Sequence, residues 1–275
     1  MPWYQNRKGE SLWYEDLGSG RTVILLHGWC MSSAVWKYQF EYLSESLRVV
    51  APDIRGHGRS SKVCTSLTFS NFAEDLVDLI MELKLSELLL VGWSMGAQIA
   101  MEAYADLSDR LLGLMLVSAT PRFKASEDFS YGLADKDTSG MRLKLLRNRE
   151  RALDGFYSLL FADGELENHP LAIDIKRVLS QIAPPDTTAS IDALDSLARA
   201  DMRGKLAGIA SPALILNGAL DQICSPEAST YLKNNIPSAQ QVVFPESGHA
   251  PFLTSHIKFN QELLKFLRGI CEQNY

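Results

Sequence analysis

No block of lysine and arginine long enough to track a phosphate backbone occurs in these 275 residues, and the formal net charge is -6. A nucleic acid is thereby excluded as the main partner. Nor is there a run of about 18 apolar residues, and no apolar stretch follows the basic residues of the opening MPWYQNRKGE. The sequence therefore predicts no membrane span and no export signal. Cysteine is scarce. Cys30, Cys64, Cys224 and Cys271 lie far apart with no CxxC pair, which argues against a zinc site or a disulfide framework and for reduced thiols in a cytoplasmic protein. The glycine-rich APDIRGHGRS (51–60) lacks the spacing of a phosphate cradle and reads as a tight structural turn. No metal and no cofactor is expected.

What the chain does have is a series of short Val-, Ile- and Leu-rich runs: TVILLHG (22–28), RVVAPD (48–53), ELLLVGW (87–93), LLGLMLVSA (111–119), PALILNG (212–218) and QQVVFPE (240–246). Runs that are apolar on both alternate positions predict strands buried on both faces, the mark of a parallel sheet covered by helices. Between them, FSNFAEDLVDLIMELKL (69–85), with Ser70 as its expected N-cap, and SHIKFNQELLKFLRGI (255–270) repeat apolar residues at helical spacing. The class is α/β, with a mostly parallel central sheet flanked by helices. From Pro121 to about Lys205 the strand signal disappears. That gap predicts a helical cap over 121–205, inserted into a core domain made of 1–120 and 206–275.

GWSMG (92–96) is a G-x-S-x-G motif standing after a predicted strand and before a predicted helix that carries Ala97, Ala100 and Ala103. A serine held at positive φ in such a turn brings the neighbouring backbones so close that side chains at Gly92 and Gly96 would clash. A serine hydroxyl needs a base to become a nucleophile. Of the five histidines, His249 in PESGHAPF follows a predicted strand and precedes the last helix, at the sheet edge where Ser94 must lie. His27 and His57 come too early in the chain for the Ser, acid, His order of this kind of site, and His256 reads as a solvated first-turn residue. The orienting acid is Asp221, just beyond the LILNG strand, since the alternative position after the preceding strand reads SATPRF without a carboxylate. Two backbone amides should face the developing oxyanion, those of Met95 and Trp29.

HGW after a strand, DIRGHGRS, GWSMG, NGALD and GHAPF, in this order, resemble the α/β hydrolase superfamily over almost the whole chain. Within it, LLHGWCMSSAVW, GWSMGA and SGHAPFLTSHIKF resemble the carboxylesterases that remove the methyl ester from pimeloyl-acyl carrier protein in biotin synthesis. The resemblance implies the α/β-hydrolase fold, catalysis by Ser94, Asp221 and His249, and oxyanion amides at Trp29 and Met95. It also implies substrate contacts at Trp29, Trp93, Arg151 and Phe156, and a basic cap face for an acyl carrier protein. MRLKLLRNRER (141–151) carries such charge, with Lys144, Arg147 and Arg151 on one face if the helix is continuous. Gly155 stands where the family pattern has a second arginine, and DGELENHP is acidic. A small-molecule ester, a lactone, or a signal held by a slow-turnover receptor on the same fold therefore remain alternatives to the carrier-linked ester.

Overall fold

The computed structural model describes residues 2–63, 65–167 and 169–273; Cys64, one of the expected reduced thiols, lies outside them. An eight-stranded sheet organises the chain: β1 (Trp3–Gln5), β2 (Ser11–Gly18), β3 (Thr22–Leu26), β4 (Arg48–Pro52), β5 (Leu88–Trp93), β6 (Leu111–Val117), β7 (Ala213–Gly218) and β8 (Ala239–Phe244). The order is β1-β2-β4-β3-β5-β6-β7-β8. From β4 to β8 every neighbour is parallel, and only the β1–β2 and β2–β4 pairings are antiparallel. The central strands β3, β5 and β7 are buried along their whole length, as strands covered on both faces must be. β8 departs from that expectation. It is the last strand, and most of its residues are partly or fully exposed, because an edge strand has a packed neighbour on one side only.

The helices are α1 (Lys37–Leu43), α2 (Phe69–Glu82), α3 (Met95–Leu107), α4 (Asp135–Arg147), α5 (Arg149–Ser158), α6 (Ala172–Ser180), α7 (Thr187–Arg199), α8 (Pro226–Asn235), α9 (Pro251–Thr254) and α10 (His256–Gln273). α2 buries Phe72, Leu76, Leu79 and Ile80, a stripe at helical spacing. Its N-cap lies two residues before the expected one: it is Thr68, whose hydroxyl accepts from the Asn71 amide, and not Ser70, which hydrogen-bonds outward to Glu74. Helices α4 to α7 all fall between β6 and β7, in one continuous insert.

That insert contains a break the sequence does not announce. Asn148 adopts an extended conformation (φ -161°, ψ 97°), ends α4, and caps α5 by accepting from the Arg151 amide. Lys144, Arg147 and Arg151 are therefore not on one helix, and the continuous basic face expected from their spacing does not form. Two neighbouring cations are also engaged: Arg142 lies 3.7 Å from the Asp195 carboxylate, and Arg149 donates to the Pro185 carbonyl at 2.6 Å.

Candidate active site

Ser94 sits at the end of β5 with φ 56° and ψ -118°, a region that an L residue occupies only under strain of about 1–3 kcal/mol. The glycines around it make that turn sterically feasible. A Cβ on Gly92 would stand 2.4 Å from the Gly96 carbonyl oxygen, and one on Gly96 would stand 2.5 Å from that of Leu26. The turn is further fixed by the Ser94 amide, which donates to Val117 of the adjacent strand at 3.0 Å. Met95 is the first residue of α3, so its amide has no carbonyl one turn back to bond and points out of the helix end.

Asp221 and His249 meet in the loops after β7 and β8. The His249 Nδ1–H donates to Asp221 Oδ2 at 2.8 Å, with both side chains wholly buried. The other carboxylate oxygen accepts from the amides of Ile223 (2.8 Å) and Cys224 (2.9 Å). This fixes the tautomer: with Nδ1 carrying the proton, Nε2 keeps its lone pair. Although buried, Nε2 has no hydrogen-bond partner among the described residues. A buried polar atom left unpaired costs about 1–3 kcal/mol, and the lone pair of this one is free to accept a hydrogen bond.

Two contacts tie Ser94 to this pair. The Trp93 indole N–H, one residue before the serine, donates to the His249 carbonyl at 2.8 Å. The Cys224 thiol lies next to the Ser94 side chain, and burial, with Asp221 next to it, pushes this thiol's pKa up, so it stays protonated. No sequence signal marks Cys224 beyond its place three residues after Asp221.

The turn after β3 supplies Trp29. His27 shapes it: its Nδ1–H donates to the Gly28 carbonyl at 2.8 Å, and its Nε2 accepts from the Ile54 amide at 3.0 Å. Burial lowers the His27 pKa to about 4, so it is a neutral structural group at pH 7. The His57 ring lies tilted beside it, centroids 5.5 Å apart, and its pKa is pushed down to about 3, again mainly by burial. Trp29 is buried, donates from its indole to the Ser190 carbonyl of α7 at 2.9 Å, and meets Phe156 edge-on with ring centroids 4.9 Å apart.

Trp29 and Phe156 line a cavity of about 480 Å³ together with Phe123, Met141, Leu194 and Ile223. Arg151 and Trp93 do not line it. Arg151 is exposed on α5. Trp93 is 1 % exposed, packed beneath the site against Trp36 and Phe252, where its indole braces the histidine loop. His256, expected to be solvated, is half-buried and stacks on Tyr38 with centroids 4.6 Å apart. Among the described residues no group of three or more His, Cys, Asp or Glu side chains is placed to hold a metal ion, and no helix is long and apolar enough to cross a membrane.

The fold and this arrangement define an α/β hydrolase: residues 21–255 match the alpha/beta hydrolase fold family, and the chain belongs to it. Its relatives include esterases. It is 29% identical over 260 residues to the pimeloyl-acyl-carrier-protein methyl ester esterase of Nitrosospira multiformis, covering 94% of this chain and 98% of that one. It is 31% identical over 245 residues to the protein of the same name from Nitrosomonas europaea, covering 89% and 94%. Among solved structures, an esterase from Exiguobacterium antarcticum superposes with a TM-score of 0.89 at 28% identity, covering 97% of this chain and 98% of that one.

Proposed function

We propose that the protein is a serine carboxylesterase in which Ser94 is the nucleophile, His249 the base and Asp221 the residue that orients it. The single observation that carries this reading is the buried imidazole with Nδ1 committed to Asp221 and Nε2 unpartnered among the described residues, on a loop tied by the Trp93 indole to the strand end where Ser94 holds its strained turn. His249 Nε2 takes the hydroxyl proton as Ser94 Oγ attacks the ester carbonyl. The tetrahedral oxyanion receives the amide N–H groups of Met95 and Trp29, each donor worth about 3–4 kcal/mol in comparable sites. His249 then gives its proton to the departing alcohol, leaving an acyl-enzyme. Water, deprotonated by the same nitrogen, releases the acid and returns the serine.

In this reading residues 121–205 act as a cap over a core of 1–120 and 206–275. The cavity between them, walled by Trp29 and Phe156 and also lined by Lys136, Asp137 and Lys144, takes the acyl chain, and the enzyme works in the cytoplasm. The esterases of Nitrosospira multiformis and Nitrosomonas europaea support the methyl ester of a pimeloyl group on acyl carrier protein as substrate. The break at Asn148 and the engaged Arg142 and Arg149 favour a second reading, in which a free small ester is turned over without a carrier. The test is to measure kcat/KM for pimeloyl-acyl-carrier-protein methyl ester beside dimethyl pimelate and p-nitrophenyl butyrate. A preference of about 100-fold or more for the carrier-linked ester fits the first reading; equal or better use of the free esters fits the second.

A further inference from the structure

The loop that carries His249 is held by the insert at each of three successive residues. β8 ends at Phe244 and α9 begins at Pro251, so His249 lies in a connection with no regular structure of its own. The Gly248 amide donates to Glu165 Oε2 at 2.7 Å. The amides of His249 and Ala250 both donate to the Leu160 carbonyl, at 2.9 and 3.1 Å. The approach is backbone on backbone: a Cβ on Gly248 would stand 2.7 Å from the Ala162 nitrogen.

Glu165 is the side chain that closes this contact. Its Oε2 also accepts from the Ala162 amide at 2.7 Å, which folds the 160–165 turn back on itself, and its Oε1 accepts from the Thr254 hydroxyl on α9. One half-buried carboxylate thus joins the turn after α5, the residue before His249 and the helix after it. By contrast Asp163 and Glu167, its neighbours in the acidic stretch, are exposed. The core contributes a separate brace, the Trp93 indole on the His249 carbonyl.

We infer that Glu165 is a positioning residue for His249: through the Gly248 amide and the 160–165 turn it sets where the imidazole stands relative to Ser94, so the insert mounts the catalytic base as well as shaping the acyl cavity. This rests on His249 being the base. A displacement of about 1 Å at a catalytic group can cost about 100-fold in rate, and the reach of the carboxylate, more than its charge, is what the geometry uses. Gln keeps that reach and can accept both amides on its single carbonyl oxygen. Asp keeps the charge and loses one methylene of reach.

The experiment compares E165Q, E165D and E165A with the parent and with S94A, using p-nitrophenyl butyrate kinetics and thermal melts. E165D and E165A are expected to lose about 10- to 100-fold in kcat with KM within about threefold, while E165Q stays within about threefold of the parent kcat. A folded E165D or E165A with parental kcat overturns the inference, as does a change confined to KM, or an active E165D beside an inactive E165Q. Should S94A retain parental activity, the underlying assignment of the nucleophile and its base falls, whatever the Glu165 variants do.

Discussion

Replacing Asp221 by Asn changes one atom of the carboxylate and puts two sets of hydrogen bonds in conflict. Oδ1 accepts from the Ile223 and Cys224 amides, and Oδ2 accepts from His249 Nδ1–H. If the amide oxygen of D221N stays with the two backbone donors, its NH2 faces His249 and drives the imidazole into the tautomer with the proton on Nε2, which cannot accept from Ser94. If the amide is flipped, two buried N–H groups lose their acceptor, at about 1–3 kcal/mol each. The first arrangement is favoured, so the fold survives and the base is disabled. Disabling a triad base through the wrong tautomer costs about 10⁴ in kcat, which at about 1.36 kcal/mol per decade is about 5 kcal/mol of lost transition-state stabilisation. The assay is initial-rate hydrolysis of p-nitrophenyl butyrate beside a thermal melt of the same sample. A folded D221N retaining more than about a tenth of the parental kcat would refute the role given to this carboxylate.

Two further outcomes follow from local energetics. Because Ser94 holds φ 56°, S94G and S94A should both be inactive, but S94G should be more stable to denaturant by about 1 kcal/mol, since Gly relieves strain that Ala retains; the reverse order would contradict a strained elbow. His27 and His57, with pKa values lowered to about 4 and about 3, bind fewer protons folded than unfolded below pH 6.5. Their contribution is therefore intact above pH 6.5 and is lost as pH falls towards 4, by up to about 1.4 kcal/mol per pH unit for each. Urea midpoints between pH 7 and 4.5 should fall accordingly, and a flat profile would show these histidines charged in the folded state.

The parallel strands were legible because burial on both faces leaves an uninterrupted apolar run, as in TVILL of β3. β1 and β2 were not, because half their residues face solvent and SLWYEDLG alternates too loosely to declare a strand. The elbow was legible because the two glycines answer a steric demand that only backbone contact creates. What positions His249 was hidden for the opposite reason. The Leu160 carbonyl carries no side-chain signature, and Glu165 sits in an acidic stretch that looks like ordinary solvated surface. The basic face failed at one residue: Asn148, read as part of a continuous helix, ends α4 and caps α5. Trp93 was expected in the acyl channel, but a ring that size beside the elbow is better buried under the site than lining it.

The most direct test of the account is to inactivate the enzyme with a fluorophosphonate and locate the adduct by mass spectrometry. One adduct per chain on Ser94, absent from S94A and formed far more slowly in H249A, is the predicted result. Inhibition with the label on any other residue, or undiminished ester hydrolysis by S94A, would contradict it.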